Sequence, residues 1–510
     1  MKIFLLAISI LIFSNPLLCQ ELAEINGKVI DSNNKPLPYA TIRLKNISIG
    51  VVSNQNGDFR MPLRPHFLQD TLVVSYIGFS MQKIPVDKLK REGNNIIVLK
   101  ESTTTMSELE IHANPKGRMT AKKIVAAAIN SIDVNYPMHP FTYVAYYRDY
   151  QIKENNYTNL SEAIVRVLDN GFDTNDQTDT KIELMQFLLN KTFPIDTLSS
   201  VPYDNVEKKF IPQAKLGTFG GNELAILRVH DALRNFKNYS YSFVETLSEN
   251  FILNHTFRLS RTVGHKNTEL YEIKYKSTPS TGGGSHFSEG VMYIEKQNYK
   301  IHKMEYSMYE VSDRNKLIYN IKVEYSDHDG KMYLNYISFN NEFKMRNADD
   351  FRVLDTRIMS NMCCFSVLFS HPTDSLTATN KNNYAFTIRG RKVELDEVTY
   401  APHRKGKEII AVIRNAGEYG IFADNELARQ MTADYINIKD KQGRTVNEMT
   451  FIQATQYREI FVQKIEPEPA SSNEISGIDK FTPLNKAEVT TTARNFADYW
   501  MNTPLKKEIE

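Results

Sequence analysis

Cysteine, tryptophan and long apolar runs are what this sequence has least of. Its 510 residues include three cysteines and one tryptophan, Trp500. Two of the cysteines, Cys363 and Cys364, are neighbours. An unstrained disulfide needs Cα atoms roughly 4.4–6.8 Å apart, so a framework of bridges joining distant segments is excluded. The pair reads instead as two small apolar residues on opposite faces of a strand, MCCFSVLF at 362–369. Beyond the N-terminus no run reaches the ~18 apolar residues of a membrane-spanning helix. There is no long basic run either, and 62 Lys and Arg against 60 Asp and Glu leave a net charge of +2. That balance gives no reason to expect a nucleic acid partner. Walker, Rossmann and H-E-x-x-H fingerprints are all missing. No catalytic residue, metal ligand or cofactor is assigned.

What is present is an ordinary globular balance, 41% apolar and 24% charged, with 27 tyrosines and 27 phenylalanines. The aromatic excess favours strands. Residues 1–20 have the form of a signal peptide. Lys2 precedes the apolar run IFLLAISILIF, and Ser14-Asn15-Pro16 breaks the helix ahead of Leu17-Leu18-Cys19-Gln20. At about 1.5 Å per residue this run is too short for a bilayer core of about 30 Å. Two fates fit, cleavage near Cys19-Gln20 or lipid attachment to Cys19, although Leu18 stands where a lipobox has a small residue. Either way the chain is expected to be exported.

Residues 24–100 show a strand-and-turn rhythm. Ile25–Ile30 alternates before a turn at Asp31–Pro36. The strand YATIRL follows at 39–44, then a hairpin turn at Asn54–Gly57 and a buried strand TLVVSY at 71–76. With Asn95–Leu99 the count reaches the seven strands of a sandwich. These residues carry a resemblance. G-K-V-I-D-x-x-x-x-P-L-P-Y-A-T-I, then S-N-Q-N-G-D-F, then L-V-V-S-Y-I-G-F resemble the carboxypeptidase regulatory-like domain. Such modules stand in front of TonB-dependent transporters and in other cell-envelope proteins of the Bacteroidetes type. The resemblance implies an envelope setting and a module with no catalytic residues of its own.

A polar connector spans 101–118, with one short strand at Leu109–His112. An α+β antiparallel-sheet domain is expected over 119–400. It opens with the helix Ala121–Asn130, whose stripe is Ile124, Ala127, Ala128 and Ile132. A strand pair follows at Thr142–Ile152 and Leu160–Leu168, then a helix from Glu223 to Phe236 with Asn222 as its cap. Strands are predicted at Phe257–Val263, Leu270–Tyr275, Glu289–Ile294, Ile301–Met308, Leu317–Tyr325 and Met332–Asn341. The segment FSEGVMYIEKQNYKIHKMEY at 287–306 resembles the strand pair of a Bacteroidetes family whose central sheet is similar to lipoprotein-carrier half-barrels. Residues 401–465 read as a mixed C-terminal extension. Residues 466–510 read as a linker and a terminal helix, Asn485–Met501, that buries Trp500. The fold class is mainly β or α+β: an N-terminal seven-stranded β-sandwich followed by a curved antiparallel sheet with a few covering helices.

Several patterns invite chemistry and lose on geometry. His302-Lys303-Met304-Glu305 has H-x-x-E spacing, with His328, His371 and His403 available as a third ligand. Residues three apart on a strand face opposite ways, so His302 and Glu305 do not converge on a zinc ion. Thr281–His286 is Gly-rich but lacks the ending of a phosphate loop and the second glycine of a nucleophile elbow. The acids of Asp173–Asp179 lack the sixth-position glycine and the bidentate glutamate of a calcium loop. Asp327–Gly330 reads as a hairpin turn. One diffuse feature remains: Tyr143, Tyr146, Tyr147, Tyr150, Met292, Tyr293, Met304, Tyr306 and Met308 lie on the predicted sheet. They line an apolar cavity or form an ordinary core.

The expected protein is a non-enzymatic cell-envelope module, periplasmic or outer-membrane-associated. It would bind or scaffold an envelope protein partner or an apolar ligand, with sheet edges offering β-augmentation. Two alternatives stand beside it: a lipid or lipoprotein carrier using a cavity in the central sheet, and a metallo-hydrolase with an unrecognised site.

Overall fold

The computed structural model describes residues 23–45, 50–63, 67–102, 119–197, 199–200, 209–210, 222–238, 245–266, 268–279, 281, 284–313, 316–346, 349–420, 430–448, 450–469 and 475–490. The signal peptide with Cys19, the short strand at 109–112 and Trp500 fall outside these residues.

The predicted seven strands of the N-terminal module are present: β1 (Ala23–Asp31), β2 (Thr41–Leu44), β3 (Gly50–Val52), β4 (Asp58–Leu63), β5 (Thr71–Ser75), β6 (Gln82–Pro85) and β7 (Asn94–Leu99). They form two sheets, β4-β1-β7 and β3-β2-β5-β6. Alternation sends Ile25, Val29, Ile42, Phe59, Leu72, Val74 and Ile97 into one shared core. Gly57 closes the hairpin at φ +76, where a Cβ would stand 2.4 Å from the Val29 carbonyl oxygen.

The central region continues with β8 (Phe141–Lys153), β9 (Asn156–Asp169), β10 (Lys181–Leu189), the two-residue β11 (Lys209–Phe210), β12 (His255–His265), β13 (Thr268–Ser277), β14 (His286–Glu295), β15 (Ile301–Glu310), β16 (Leu317–His328) and β17 (Lys331–Arg346). Each predicted strand is there and up to five residues longer at its ends. β10 and the two-residue β11 are additional strands that the sequence pattern does not predict. The sheet order is β10-β9-β8-β25-β17-β16-β15-β14-β13-β12, with β11 beside β17, and β25 is Phe451–Glu466. The ladders from β10 through β9 and β8 to β25, and from β17 through to β12, are antiparallel. The chain therefore turns mainly β, as expected.

One face of this sheet, here the inner face, is covered by the Ala121–Asn130 helix, the Glu223–Val229 helix and Leu233, Phe236, Leu247 and Phe251. Thr120 caps the first helix by accepting from the Lys123 N–H at 3.3 Å, and Ile124, Val125, Ala128 and Ile129 are its buried stripe. The second helix is shorter than predicted. It ends at Val229 with His230 as cap, because the Asp231 carboxylate takes the N–H groups of Leu233 and Arg234 and turns the chain.

Two compact units result. The first comprises Met1–Val206, Ile211–Phe343 and Ala454–Glu510; the second comprises Glu207–Phe210 and Lys344–Gln453. The division at residue 400 drawn from the sequence follows neither. The predicted C-terminal extension contributes β25, which lies between β8 and β17 inside the central sheet. The second unit carries β18 (Val353–Met359), β19 (Cys364–Phe369), β20 (Tyr384–Ile388), β21 (Arg391–Lys392), β22 (Leu395–Tyr400), β23 (Glu408–Ile413) and β24 (Met431–Tyr435). Its sheets β18-β19-β23-β22 and β21-β20-β24 share a core, where Phe365 stacks on Phe386 at 4.0 Å. Cys363 is not on the strand as expected. It takes a left-handed conformation (φ 51, ψ 43) just before β19, and Cys364 begins the strand. The terminal helix predicted from Asn485 is, within the described residues, a 3-10 turn at Leu484–Lys486 followed by extended chain.

Candidate functional site

The nine aromatic and methionine residues divide between the two faces of the sheet. Period-2 alternation places Tyr143, Tyr147, Met292, Met304, Tyr306 and Met308 in the inner core with the covering helices. Tyr146 joins a separate cluster with Tyr39, Tyr336 and Phe461, and Tyr150 stacks on Tyr457 at 5.0 Å. Tyr293 packs beside Ile77 and Val263. The inner six touch protein side chains, and the structure does not bring the nine together around one cavity.

Embedded beside the inner core is a buried ionic cluster that sequence reasoning missed. Arg228 Nε reaches both Asp176 oxygens at 3.2 and 3.1 Å, and its Nη2 reaches Asp169 at 2.9 Å. Another guanidinium N–H donates to the Tyr143 hydroxyl. Arg234 Nε lies 3.0 and 2.9 Å from the two Asp169 oxygens, and its Nη1 and Nη2 reach the Thr174 carbonyl and hydroxyl at 2.9 and 3.0 Å. Burial would raise the Asp176 carboxyl, but the two guanidinium groups hold it well below the usual range. The acids of Asp173–Asp179 therefore have separate partners: Asp176 meets Arg228, Asp173 pairs with Lys237, and Asp179 accepts from the Asn175 N–H and the Thr178 hydroxyl. Such a cluster is a clamp: each arginine fork is satisfied, and it ties the Glu223–Val229 helix and the following turn to β9.

Two neighbours are less well matched. Burial pushes the Asp231 carboxyl up to about 6 despite the Tyr325 hydroxyl, which donates to both oxygens at 2.7 Å. His230 stacks on Phe339 at 4.0 Å, and neither ring nitrogen has a hydrogen-bond partner. Burial pulls its imidazole down to about 3, so it is neutral at physiological pH.

The outer face is covered in part by the N-terminal sandwich. Tyr39 stacks on Tyr336 at 5.0 Å, and the Lys322 ammonium lies 4.6 Å from the centre of the same Tyr39 ring. Arg43 donates to the Asn335 side chain, which in turn reaches Thr41 at 3.3 Å. Ile77 packs with Val263 and Leu270, and Lys303 sits 5.2 Å from the Tyr76 ring centre. On this face Arg148 and Glu459 form an ion pair with side-chain exposures of 1% and 0%. Tyr336 donates to the same glutamate at 3.1 Å.

His302 and Glu305 go separate ways, as strand geometry requires. His302 Nε2 lies 3.4 Å from Glu295, while Glu305 pairs with Lys303 at 2.8 Å. Among the described residues no group of three or more His, Cys, Asp or Glu is arranged to hold a metal ion.

Past Glu305 the outer face carries an open groove of about 860 Å³ across β12–β15. Register explains its lining. Thr256, Lys276, Glu289 and Ser307 form one cross-strand row, and Arg258, Lys274, Val291 and Glu305 the next. Tyr309 stacks on Phe287 at 5.3 Å at the end of the groove. Lys276 and Glu289 are each 50% exposed and 4.0 Å apart, and Glu305 is already neutralised by Lys303. Arg258 and Lys274 thus stand side by side without an acid on their own row that is not shared, and the groove is electropositive.

Among known proteins, the CarboxypepD_reg-like domain family matches residues 25–111. No curated protein matches the chain. Among solved structures it is similar to a DUF1329 family protein from Desulfovibrio piger ATCC 29098, at 9% identity and a TM-score of 0.20, over 44% of this chain and 87% of that one.

Proposed function

We propose that this chain is a non-enzymatic binding module of the cell envelope, which holds an acidic segment of a partner polypeptide in the groove on the outer face of its central sheet. The observation that carries the reading is the open, electropositive groove over β12–β15, beside a sandwich of an envelope-associated type. The regulatory-like module acts in it as a fixed cover. It occupies the neighbouring part of the outer face through Tyr39, Arg43 and Tyr76, and so leaves one bounded surface free. Filling of the inner face by the sheet's own side chains favours a surface binder over an acyl-chain carrier.

The test is photo-crosslinking in cells that make the protein natively, with a photoreactive residue at Val291 or Ser307 and, as control, at Lys122 on the exposed side of the Ala121–Asn130 helix. A discrete protein adduct from both groove positions and none from Lys122, lost on Lys274→Glu plus Lys276→Glu, is the expected result. Absence of any adduct, together with stoichiometric lipid in the washed full-length protein, would overturn the reading in favour of a carrier.

A further inference from the structure

We propose that a loop cluster of the second unit, Leu376 with Lys405, Lys407, Lys439 and Lys441, is a docking surface for an anionic phospholipid bilayer. It shares no residue with the groove on the central sheet and stands independently of that reading.

Backbone hydrogen bonds tie the three loops together. Thr373 and Asp440 pair across an antiparallel bridge. On either side of it the Asp374 N–H donates to the Lys439 carbonyl at 2.8 Å and the Lys441 N–H to the Pro372 carbonyl at 3.2 Å. Along its other edge, the Thr373 N–H donates to the Gly406 carbonyl at 2.9 Å. Thr373 and Asp440 are each 2% exposed. Alternation therefore turns Lys439 and Lys441 the other way, and both are exposed. Lys405 and Gly406 are the central pair of a tight turn, both at positive φ (46 and 78), closed by the Lys407 N–H on the Arg404 carbonyl at 2.9 Å. Lys405 and Lys407 are exposed around it, and the Lys407 ammonium reaches back to the Ser370 carbonyl at 3.2 Å.

The helical turn Ser375–Ala378 brings an apolar side chain to the same place. Asp374 caps it by accepting from the Thr377 N–H at 3.0 Å, and the Thr377 hydroxyl accepts from the Lys439 N–H at 3.0 Å. Leu376 is thus held beside the lysine loop. It is 84% exposed, the highest value of any large apolar side chain among the described residues.

The charge is uncompensated. Arg404 pairs with Glu408 at 3.2 Å, and Arg444 engages Asp440 at 2.7 Å and Asp349 at 2.9 Å, so the nearby acids are taken up by arginines or, for Asp374, by the cap. None of the four lysines has an ion-pair partner among the described residues. An exposed leucine among free ammonium groups matches a surface with negative charge outside and hydrocarbon just beneath. The lysines are drawn to the headgroups by their field, while the leucine enters the acyl boundary. An acidic polypeptide would satisfy the lysines but give the leucine nothing to enter.

The experiment is vesicle flotation with residues 21–510, which omits the apolar leader and any lipid on Cys19 while keeping every described residue. The vesicles are phosphatidylcholine alone, or phosphatidylcholine and phosphatidylglycerol in equal parts. The protein should float with the anionic vesicles only, and raised salt should release it. Lys439→Glu plus Lys441→Glu should weaken binding by about tenfold or more, and Leu376→Ala by roughly fivefold, each with an unchanged thermal midpoint. Reversal of the groove lysines, Lys274→Glu plus Lys276→Glu, should leave flotation as in the parent. Failure to float with anionic vesicles, equal flotation with neutral ones, or loss through the groove lysines rather than Lys439 and Lys441 would overturn the proposal. So would an unchanged affinity in Leu376→Ala together with tighter capture by immobilised polyglutamate, which would mark the surface as one for an acidic polypeptide.

Discussion

At the scale of single residues, the least tolerant position in the central sheet is Gly290. A Cβ there would stand 1.9 Å from the Glu305 carbonyl oxygen and 2.5 Å from the Tyr275 hydroxyl, which lies across the glycine and donates to that same carbonyl. Gly290→Ala should therefore destabilise the protein by on the order of 3 kcal/mol, as overpacking against backbone does. A fall in the urea midpoint of less than about 0.3 M would contradict this. His230 gives a pH-dependent counterpart. Its folded value of about 3 lies below the ordinary 6.5, so the unfolded chain takes up the proton first. Stability from this site is complete above pH 6.5 and is lost as the pH falls, by about 2 kcal/mol at pH 5. Asp231 has the opposite sign. Its folded value of about 6 lies above the ordinary 3.8, so the folded chain gains relative stability as pH falls from 6 towards 4. His230→Phe keeps the stack on Phe339 and removes the two unpartnered nitrogens. Its melting temperature should exceed that of the parent by a margin that grows from pH 7 to pH 4.5; a constant margin would refute the account. Little of this was legible beforehand. Strand geometry rightly separated His302 from Glu305, but Asp176 meets an arginine 52 residues away, and no local spacing announces such a pair.

At the scale of elements, alternation was readable wherever one face is apolar. The strands from 257 to 341 emerged close to their observed limits for that reason. β25 was not recognised as a central strand because it does not look like one. Arg458 and Glu459 are both 0% exposed, yet their charge makes the run read as surface. Glu459 is paired with Arg148, 311 residues earlier, and that partner was invisible to any local window. The ion pair should behave as buried pairs do. Arg148→Met alone or Glu459→Gln alone should cost about 3–5 kcal/mol, and the double substitution markedly less than the sum. Additive losses in a double-mutant cycle measured by denaturant unfolding would show that the two groups are not coupled.

At the scale of the whole molecule, the first unit is interrupted by the second. Tyr336 stacks on Phe461 and Asn341 meets Arg458, so β17 and β25 run antiparallel and the chain leaves and re-enters through neighbouring strand ends. Replacing residues 347–450 by a short Gly-Ser hairpin should leave the first unit folded, soluble and with its far-UV strand signal. Aggregation of that variant would mean the second unit is required. Removing residues 1–102 should have the reverse effect. It strips Tyr39, Arg43 and Tyr76 from the outer face and exposes Tyr336, Phe461 and the Arg148–Glu459 pair. The truncated chain should therefore be less soluble.

The place of β25 also governs how the protein is assembled in time. β8 at residues 141–153 pairs with β9 beside it, but its other edge finds a partner only at 451–466, so the sheet stays in two halves until that segment has been delivered. During synthesis or export β8 presents an unpaired edge until roughly three hundred further residues are delivered, and β17 until roughly one hundred are, the state in which strands join the wrong neighbour. Contacts this distant in sequence make for slow folding. The protein's yield in a foreign host should thus be decided by the rate at which β25 arrives and by whatever shields those edges meanwhile, more than by the stability of the finished sheet.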